Sequence, residues 1–449
     1  MAGAASPMAS TAPSFLAEPT ASVGGALRAP GDKSISHRAL MLGAVAEGVT
    51  VVRNFLRGED CLATLAMFRA LGVAIDDADD GTVRVHGVGP EGLRAPAHVL
   101  DCGNSGTAMR LMAGLLAGQP FSAELTGDRS LRQRPMERVA APLRSMGAAI
   151  ETTDGRPPLR ITGRRPLRSI DYTLPVASAQ VKSAILLAGL AAEGVTTVRS
   201  PGPSRDHTER MLRRMGAALE ETEPHTVALE GPATLRAAPV DVPGDLSSAA
   251  FFIVAGCLGA SDGLLIKNVG VNPTRTGILT ILAEMGASIE LRNERLAGEE
   301  PVADLLVRQS ELVGIDVPPE LVPLAIDEFP ALFIAAAGAR GRTTVRGAAE
   351  LRTKESDRLA VMADGLSRLG ASVRETPDGL SIDGGRRLGA GRIDSRGDHR
   401  IAMSFAVASL LADGPIEILE TAEVATSFPG FLETAAAVGL RVRPGPDGG

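Results

Sequence analysis

Glu209-Arg210-Met211-Leu212-Arg213-Arg214-Met215-Gly216-Ala217 is one copy of a phrase that organises the whole chain. Met211, Leu212 and Met215 fall at helical spacing among charged residues, which predicts an amphipathic helix. Gly216 closes it, just past the helix end, where a left-handed backbone strains a residue without a Cβ least. The same apolar–Gly–small pattern recurs as Leu71-Gly72-Val73, Met146-Gly147-Ala148, Met285-Gly286-Ala287, Leu369-Gly370-Ala371 and Val438-Gly439-Leu440. Successive glycines lie 75, 69, 70, 84 and 69 residues apart. Six copies at such even spacing predict a repeat architecture.

A short strand is expected after each glycine, as in Ala149-Ile150-Glu151 and Ser288-Ile289-Glu290. A Thr- and Val-rich strand is expected before each helix, as in Val195-Thr196-Thr197-Val198-Arg199 and Thr343-Thr344-Val345-Arg346. A longer repeat divides the chain in two: Pro30-Gly31-Asp32-Lys33-Ser34 returns 213 residues later as Pro243-Gly244-Asp245-Leu246-Ser247. The expected fold is α/β (α+β), with two similar domains of three strand-helix-strand units each and a cleft between them. If the Pro-Gly-Asp segments are the crossings, residues 28–242 form one domain and residues 23–27 with 243–449 the other. Residues 1–22, rich in Ala, Ser, Pro and Thr, are expected to be a disordered arm. They lack the basic start and apolar run of a signal peptide.

Composition narrows the function. The 449 residues are 44% hydrophobic but only 3% aromatic, with one Tyr and no Trp. Aliphatic side chains must fill the cores, and platforms for stacking single-stranded nucleic acid are scarce. A formal charge of −7 gives no global attraction to DNA or an anionic membrane. Cys61, Cys102 and Cys257 form no CxxC pair, so neither a disulfide framework nor a zinc site is expected; idle thiols in a reducing cytosol are. No apolar run reaches the roughly 18–20 residues that span a bilayer. With no coiled-coil pattern either, the expectation is a cytoplasmic monomer.

Chemistry concentrates at the starts of expected helices, where free backbone N–H groups and a partial positive charge suit phosphates and carboxylates. Gly31-Asp32-Lys33-Ser34-Ile35-Ser36-His37-Arg38 places a Lys and a hydroxyl at such a mouth, with Arg38 one turn after Ser34. Gly103-Asn104-Ser105-Gly106-Thr107 lets backbone approach a ligand closely. Ser130-Leu131-Arg132-Gln133-Arg134-Pro135-Met136 sets two arginine forks before a Pro suited to a helix's first turn. Ala177-Ser178-Ala179-Gln180-Val181-Lys182-Ser183 is small and polar ahead of an apolar run. Ile326-Asp327-Glu328-Phe329-Pro330 is acidic. Leu351-Arg352-Thr353-Lys354-Glu355-Ser356-Asp357-Arg358 would share Lys354 and Arg358 on one helix face. Gly397-Asp398-His399-Arg400-Ile401-Ala402-Met403 is a further charged mouth. Any one of these is an ordinary cap, turn or solvated salt-bridge ladder. Their placement at matching points of repeated units predicts convergence on one cationic cleft with a few carboxylates able to move protons.

These segments resemble the EPSP synthases, the 3-phosphoshikimate 1-carboxyvinyltransferases, over residues 23–445. Arg205-Asp206-His207-Thr208-Glu209 is similar to the bacterial class II branch. The resemblance implies transfer of the enolpyruvyl group of phosphoenolpyruvate to the 5-hydroxyl of shikimate 3-phosphate, in aromatic amino acid biosynthesis, with no metal or organic cofactor. It implies shikimate 3-phosphate contacts from Lys33, Ser34, Arg38, Ser178, Ala179, Gln180, Arg205, Asp327 and Lys354. Phosphoenolpyruvate contacts would come from Lys33, Gly106, Arg134, Gln180, Arg358 and Arg400. Asp327, Glu355 and Lys33 resemble the proton-moving groups. Two positions bear on variation within the family. Many members have a Lys in the segment that here reads Thr426-Ser427-Phe428-Pro429. Some class II enzymes tolerant of the inhibitor glyphosate carry Ala where this chain has Gly106, so tolerance is not expected here.

The sister transferase acting on UDP-N-acetylglucosamine shares the expected architecture. Its opening motif has Lys-Asn where this chain has Lys33-Ser34, and it commonly uses a loop Cys. A non-catalytic repeat protein that binds anions is the other alternative; it predicts no phosphate release with any acceptor.

Overall fold

A computed structural model describes residues 13–78 and 81–445. The repeated phrase folds as it reads. Gly72, Gly147, Gly216, Gly286, Gly370 and Gly439 all have positive φ, between 88° and 107°, and each stands between a helix and a strand. In chain order the helices are α1 (Lys33–Val45), α2 (Glu59–Ala70), α3 (Gly106–Ala117), α4 (Glu137–Ser145), α5 (Ala179–Gly189) and α6 (His207–Arg214). They continue as α7 (Leu246–Gly259), α8 (Gly277–Glu284), α9 (Phe329–Gly338), α10 (Arg358–Arg368), α11 (His399–Val407) and α12 (Phe431–Ala437).

Two kinds of helix alternate. The odd-numbered ones are buried on nearly every side, α7 almost completely, because Ala, Gly, Leu and Phe run around their whole circumference. Small residues let their backbones touch: a Cβ on Gly114 of α3 would sit 2.1 Å from the Ala184 carbonyl oxygen of α5. The even-numbered helices bury one face only, and α6 keeps Arg213 and Arg214 in solvent. Apolar side chains gather into two separate cores. One holds buried residues between Ile35 and Val242. The other holds residues between Leu246 and Val442 together with Phe15, Ala17, Val23, Leu27 and Ala29.

Each unit contributes a small sheet in which the strand before the outer helix pairs antiparallel with a third strand, and that third strand with the one after the glycine. Ala46–Arg53, Val83–Val88 and Ala74–Asp77 form the first such trio; Ser288–Ala297 and Glu300–Arg308 extend the fourth into a long hairpin. The sixth unit pairs Ile416–Leu419 and Val442–Pro444 with a strand from far away in sequence. Its third strand is Phe15–Ala17, which lies between Ile416–Leu419 and Val442–Pro444 with Phe15 opposite both Ile418 and Pro444. The expected disordered arm therefore needs correction: residues 1–12 lie outside the described residues, but Phe15–Ala17 is the central strand of a sheet. An otherwise unpaired strand edge at the end of the chain and a matching apolar Phe15 explain why.

The two halves also exchange strands. Gly25–Arg28, which precedes α1, pairs parallel with Leu264–Gly270 of the second half. Leu235–Arg236 and Val240–Asp241, which precede α7, pair parallel with Ala46–Arg53 of the first. Where the two connections pass, Gly31 bridges Gly244 antiparallel. Asp32 N–H donates to the Pro243 carbonyl and Asp245 N–H to the Pro30 carbonyl, each at 2.8 Å.

Two expected helix starts shift. Pro135 precedes α4, whose cap is Met136, since a short 3₁₀ turn over Leu131–Gln133 uses up the intervening backbone. Lys354 is not on a helix with Arg358: it follows the 3₁₀ turn Ala349–Thr353, and α10 begins at Arg358 with Asp357 capping it.

Phe15 is buried against Phe431, with ring centroids 6.1 Å apart. Phe15→Ala is expected to cost about 3 kcal/mol, read as a lowered midpoint in denaturant unfolding. An unchanged midpoint would mean that the amino-terminal strand adds nothing to the fold.

Candidate active site

A cleft of about 380 Å³ lies between the two cores. All six odd-numbered helices open onto it: Lys33 and Ser34 from α1, Gly106 and Thr107 from α3, Ala179 and Gln180 from α5, Asp245 before α7, Asp327 before α9 and Arg400 from α11. The first turns of all but α9 are held by short polar caps. Asp32 accepts from Ile35 N–H at 2.9 Å, Ser105 from Ala108 at 3.1 Å, Ser178 from Val181 at 3.4 Å, Asp245 from Ser247 at 2.8 Å and Asp398 from Arg400 at 2.9 Å. These are the residue types that satisfy free N–H groups best. Six positive helix ends facing one space favour anions there.

The cationic side chains of the wall outnumber its carboxylates. Most of them are paired across short distances. Lys33 Nζ holds Asp60 at 2.9 Å; burial opposes its charge, but Asp60 and Glu355 more than compensate and raise its pKa above the ordinary lysine value. Arg205 is bonded to Asp327. Lys354 is 3.4 Å from the other oxygen of Asp327 and 2.8 Å from Glu350. Arg134 reaches Glu355 at 3.5 Å and donates to Asn104 at 2.8 Å. Burial would raise the pKa of Asp327, yet Lys354, Arg205, Arg400 and Arg358 hold it well below the carboxylate range. Glu355 is held down likewise against burial, by Arg358, Arg134, His399 and Lys33. Both carboxylates are therefore ionised and Lys33 is an ammonium ion at neutral pH.

Of the site residues expected from sequence, Lys33, Ser34, Gly106, Arg134, Ser178, Ala179, Gln180, Arg205, Asp327, Lys354, Glu355 and Arg400 share this wall. Arg38 and Arg358 do not; both stand behind it, buried. Arg38 donates to Thr208 at 2.6 Å, Ser183 at 3.0 Å and the Ser34 carbonyl at 2.9 Å, tying α1 to α5 and α6. Arg358 is bonded to Asp398 at 2.8 Å and Glu355 at 2.7 Å, and its Nη1 lies 3.6 Å from Asp327 with no hydrogen-bond partner. It braces both carboxylates.

Sequence reasoning missed Arg110, Arg138 and Arg275 as wall residues. Arg110 is buried and donates to Gln180 at 2.5 Å. Burial, Arg138 and Arg134 bring its pKa down to about 9. Arg110 follows Gly106 by one helical turn, a spacing that signals a shared face; nothing local marks Arg275. Thr426 stands off the wall, buried, with its hydroxyl on the Glu423 carbonyl at 2.7 Å. No group of His, Cys, Asp and Glu among the described residues is arranged to hold a metal ion.

A model of the EPSP synthase family, 3-phosphoshikimate 1-carboxyvinyltransferase, matches residues 17–435. The chain belongs to the EPSP synthase family. Proteins named 3-phosphoshikimate 1-carboxyvinyltransferase from Acidithiobacillus ferrooxidans and Halorhodospira halophila are 58% and 59% identical to it. The alignments cover 95% and 94% of this chain and 98% and 96% of those proteins. The solved EPSP synthase of Acinetobacter baumannii superposes with a TM-score of 0.87 at 52% identity, over 96% of this chain and all of that one. The enolpyruvyl transferase NikO from Streptomyces tendae, at 20% identity and a TM-score of 0.78, shares the fold. Like its relatives, this EPSP synthase family member is a transferase built for two anions.

The surroundings of Asp60 and Arg134 offer a test of the electrostatics near the site. Glu423, half-buried near Asp128, Glu59 and Asp60, has its pKa raised to about 6 by burial and by those carboxylates. A carboxyl with a raised folded-state pKa binds its proton more tightly when folded, so stability falls as pH rises from its ordinary 4.5 through 6. Glu423→Gln is expected to stabilise the protein by about 1 kcal/mol at pH 7 and to change nothing at pH 4, in thermal unfolding at the two pH values. Equal effects at both would contradict the assignment.

Proposed function

We propose that this cleft joins phosphoenolpyruvate to the 5-hydroxyl of shikimate 3-phosphate, releasing phosphate, with the two substrates side by side on the helix mouths. The observation that carries this reading is the convergence of Lys33, Arg134, Arg205, Lys354 and Arg400, from both halves of the chain, on one space that Asp327 and Glu355 also line. Each substrate brings a phosphate of about −1.5 to −2 charge and a carboxylate, so their mutual repulsion has to be cancelled before they can react. Lys33, Ser34, Ser178, Ala179, Gln180, Arg205, Asp327 and Lys354 are assigned to shikimate 3-phosphate. Lys33, Gly106, Arg134, Gln180 and Arg400 are assigned to phosphoenolpyruvate. Arg38 and Arg358 support both sets from behind.

The charge pairing supplies a mechanism. The surrounding cations grip Asp327 and make it a weak base. Substrate phosphates draw Lys354 and Arg205 away, and Asp327 gains basicity when a hydroxyl is there to be deprotonated. A proton from the Lys33 ammonium, beside the ionised Glu355 carboxylate, goes to the methylene carbon of the enol, and positive charge develops at the adjacent carbon. The 5-hydroxyl oxygen attacks that carbon while its proton passes to Asp327. The tetrahedral adduct then breaks its bond to the phosphate oxygen, phosphate leaves as hydrogen phosphate with the proton that Asp327 took from the hydroxyl, and a methyl proton returns to the acid that supplied it. Closing the two halves, read as domains moving about the strand exchange near Gly31 and Gly244, expels water and strengthens each of these interactions. Buried thiols at Cys61, Cys102 and Cys257 suit a reducing cytoplasm, and a monomer contains the whole site.

Asp327→Asn is expected to lower phosphate release by about 10³-fold while both substrates still bind, measured by steady-state kinetics and calorimetry. Near-normal turnover would remove Asp327 from its role, and turnover with UDP-N-acetylglucosamine instead of shikimate 3-phosphate would replace the acceptor. A Cβ on Gly106 would lie 2.9 Å from Arg110 Nη1 and 3.1 Å from Arg134 Nη1. Gly106→Ala is accordingly expected to raise the KM for phosphoenolpyruvate about tenfold, about 1.4 kcal/mol, with the KM for the other substrate little changed. A KM unaffected by the methyl group would show that phosphoenolpyruvate does not lie against this loop.

A further inference from the structure

Arg275, in the loop before α8, lies at the floor of the cleft and is almost fully buried. Its guanidinium holds both crossings and α9 at once. One nitrogen is bonded to Asp32. The other meets Asp245 at 3.0 Å, the Ser247 hydroxyl at 2.6 Å and Glu328 at 3.6 Å. Ser247 in turn donates to Glu328, and Asp245 accepts from the Lys33 N–H at 3.3 Å. Burial opposes the charge of Arg275, and these carboxylates reverse that effect and raise its pKa further above the ordinary arginine value.

The neighbours of these contacts matter most. Asp32 is followed by Lys33, and Glu328 is preceded by Asp327. Consecutive Cα atoms are about 3.8 Å apart, so a clamp on one residue fixes the backbone that aims the next. We propose that Arg275 is a positioning residue for the transfer: by holding Asp32 directly and Glu328 at ion-pair distance through Ser247, it sets the spacing and direction of Lys33 and Asp327, which approach from opposite halves. This rests on the roles given above to Lys33 and Asp327.

A cluster kept only for stability has better solutions. Well-packed apolar residues commonly match or exceed a buried ion network, whereas the fork fixes the geometry of several partners at once. Lysine, a point charge on a flexible stem, cannot reproduce that geometry.

The test uses the full chain with Arg275→Lys, which keeps the charge, and Glu328→Gln, which keeps the side-chain shape and the Ser247 contact. Circular dichroism and thermal unfolding establish that the variants are folded, and phosphate release gives kcat and KM for both substrates. The expected result is a kcat lowered about 10- to 100-fold in each, with both KM values within about threefold of wild type. If Arg275→Lys does not fold, Glu328→Gln alone decides. A folded variant with wild-type kcat, or one that changes KM alone, overturns the proposal and leaves Arg275 a structural residue. The outcome is separable from the preceding reading. An inactive Asp327→Asn beside normal Arg275→Lys and Glu328→Gln variants sinks this inference alone, and an active Asp327→Asn sinks the reading beneath it.

Discussion

The whole structure turns on concentrating positive charge in a space largely removed from water. Isolated ions are costly to bury, so each needs a partner. The partners are internal: Asp60 for Lys33, Asp327 for Arg205 and Lys354, Glu355 for Arg134. Anionic substrates compete with those carboxylates for the same cations. On the proposed mechanism, every cation that turns to a phosphate loosens its hold on a carboxylate that exchanges protons. Asp327 is held well below the carboxylate range by the same cations that the wall presents to anions.

The scaffold makes this concentration possible by repetition. One unit places one helix mouth at the end of a buried helix; six units place six, and two groups of three turn theirs toward a common gap. The halves are held in that relation by exchanged strands and by the paired crossings at Gly31 and Gly244. Arg275 sits where those crossings meet, so one buried fork links hinge and chemistry. The amino-terminal Phe15–Ala17 strand closes the last sheet, which ties the beginning of the chain to its end.

Much of this was legible in advance for a local reason. A glycine after an amphipathic helix needs its left-handed turn whatever surrounds it, and all six adopt it. Asp32, Ser105, Ser178 and Asp398 cap the helices they precede because the cap bond spans only two or three residues. What was misread depended on distant partners. The apolar Phe15-Leu16-Ala17 run was a strand signal too short to stand alone. Its meaning lay in the sixth unit's sheet, where it takes the third-strand place. Arg38 and Arg358 stand in the expected segments, yet Thr208, Ser183 and Asp398 draw their guanidinium groups behind the wall.

Periodicity, glycine placement and capping residues were enough to define the repeated units, and the motifs at the helix starts identified the family and the anionic character of its ligands. Those features act over a turn of helix or a strand, distances that sequence spacing encodes directly. Only the folded chain decided which cations face the gap, which carboxylate each one grips, and that Arg275 joins Asp32 to Glu328. Those pairings bring together residues separated by tens to hundreds of positions, and a Coulomb interaction depends on distance in space and on the exclusion of water, neither of which the order of residues specifies.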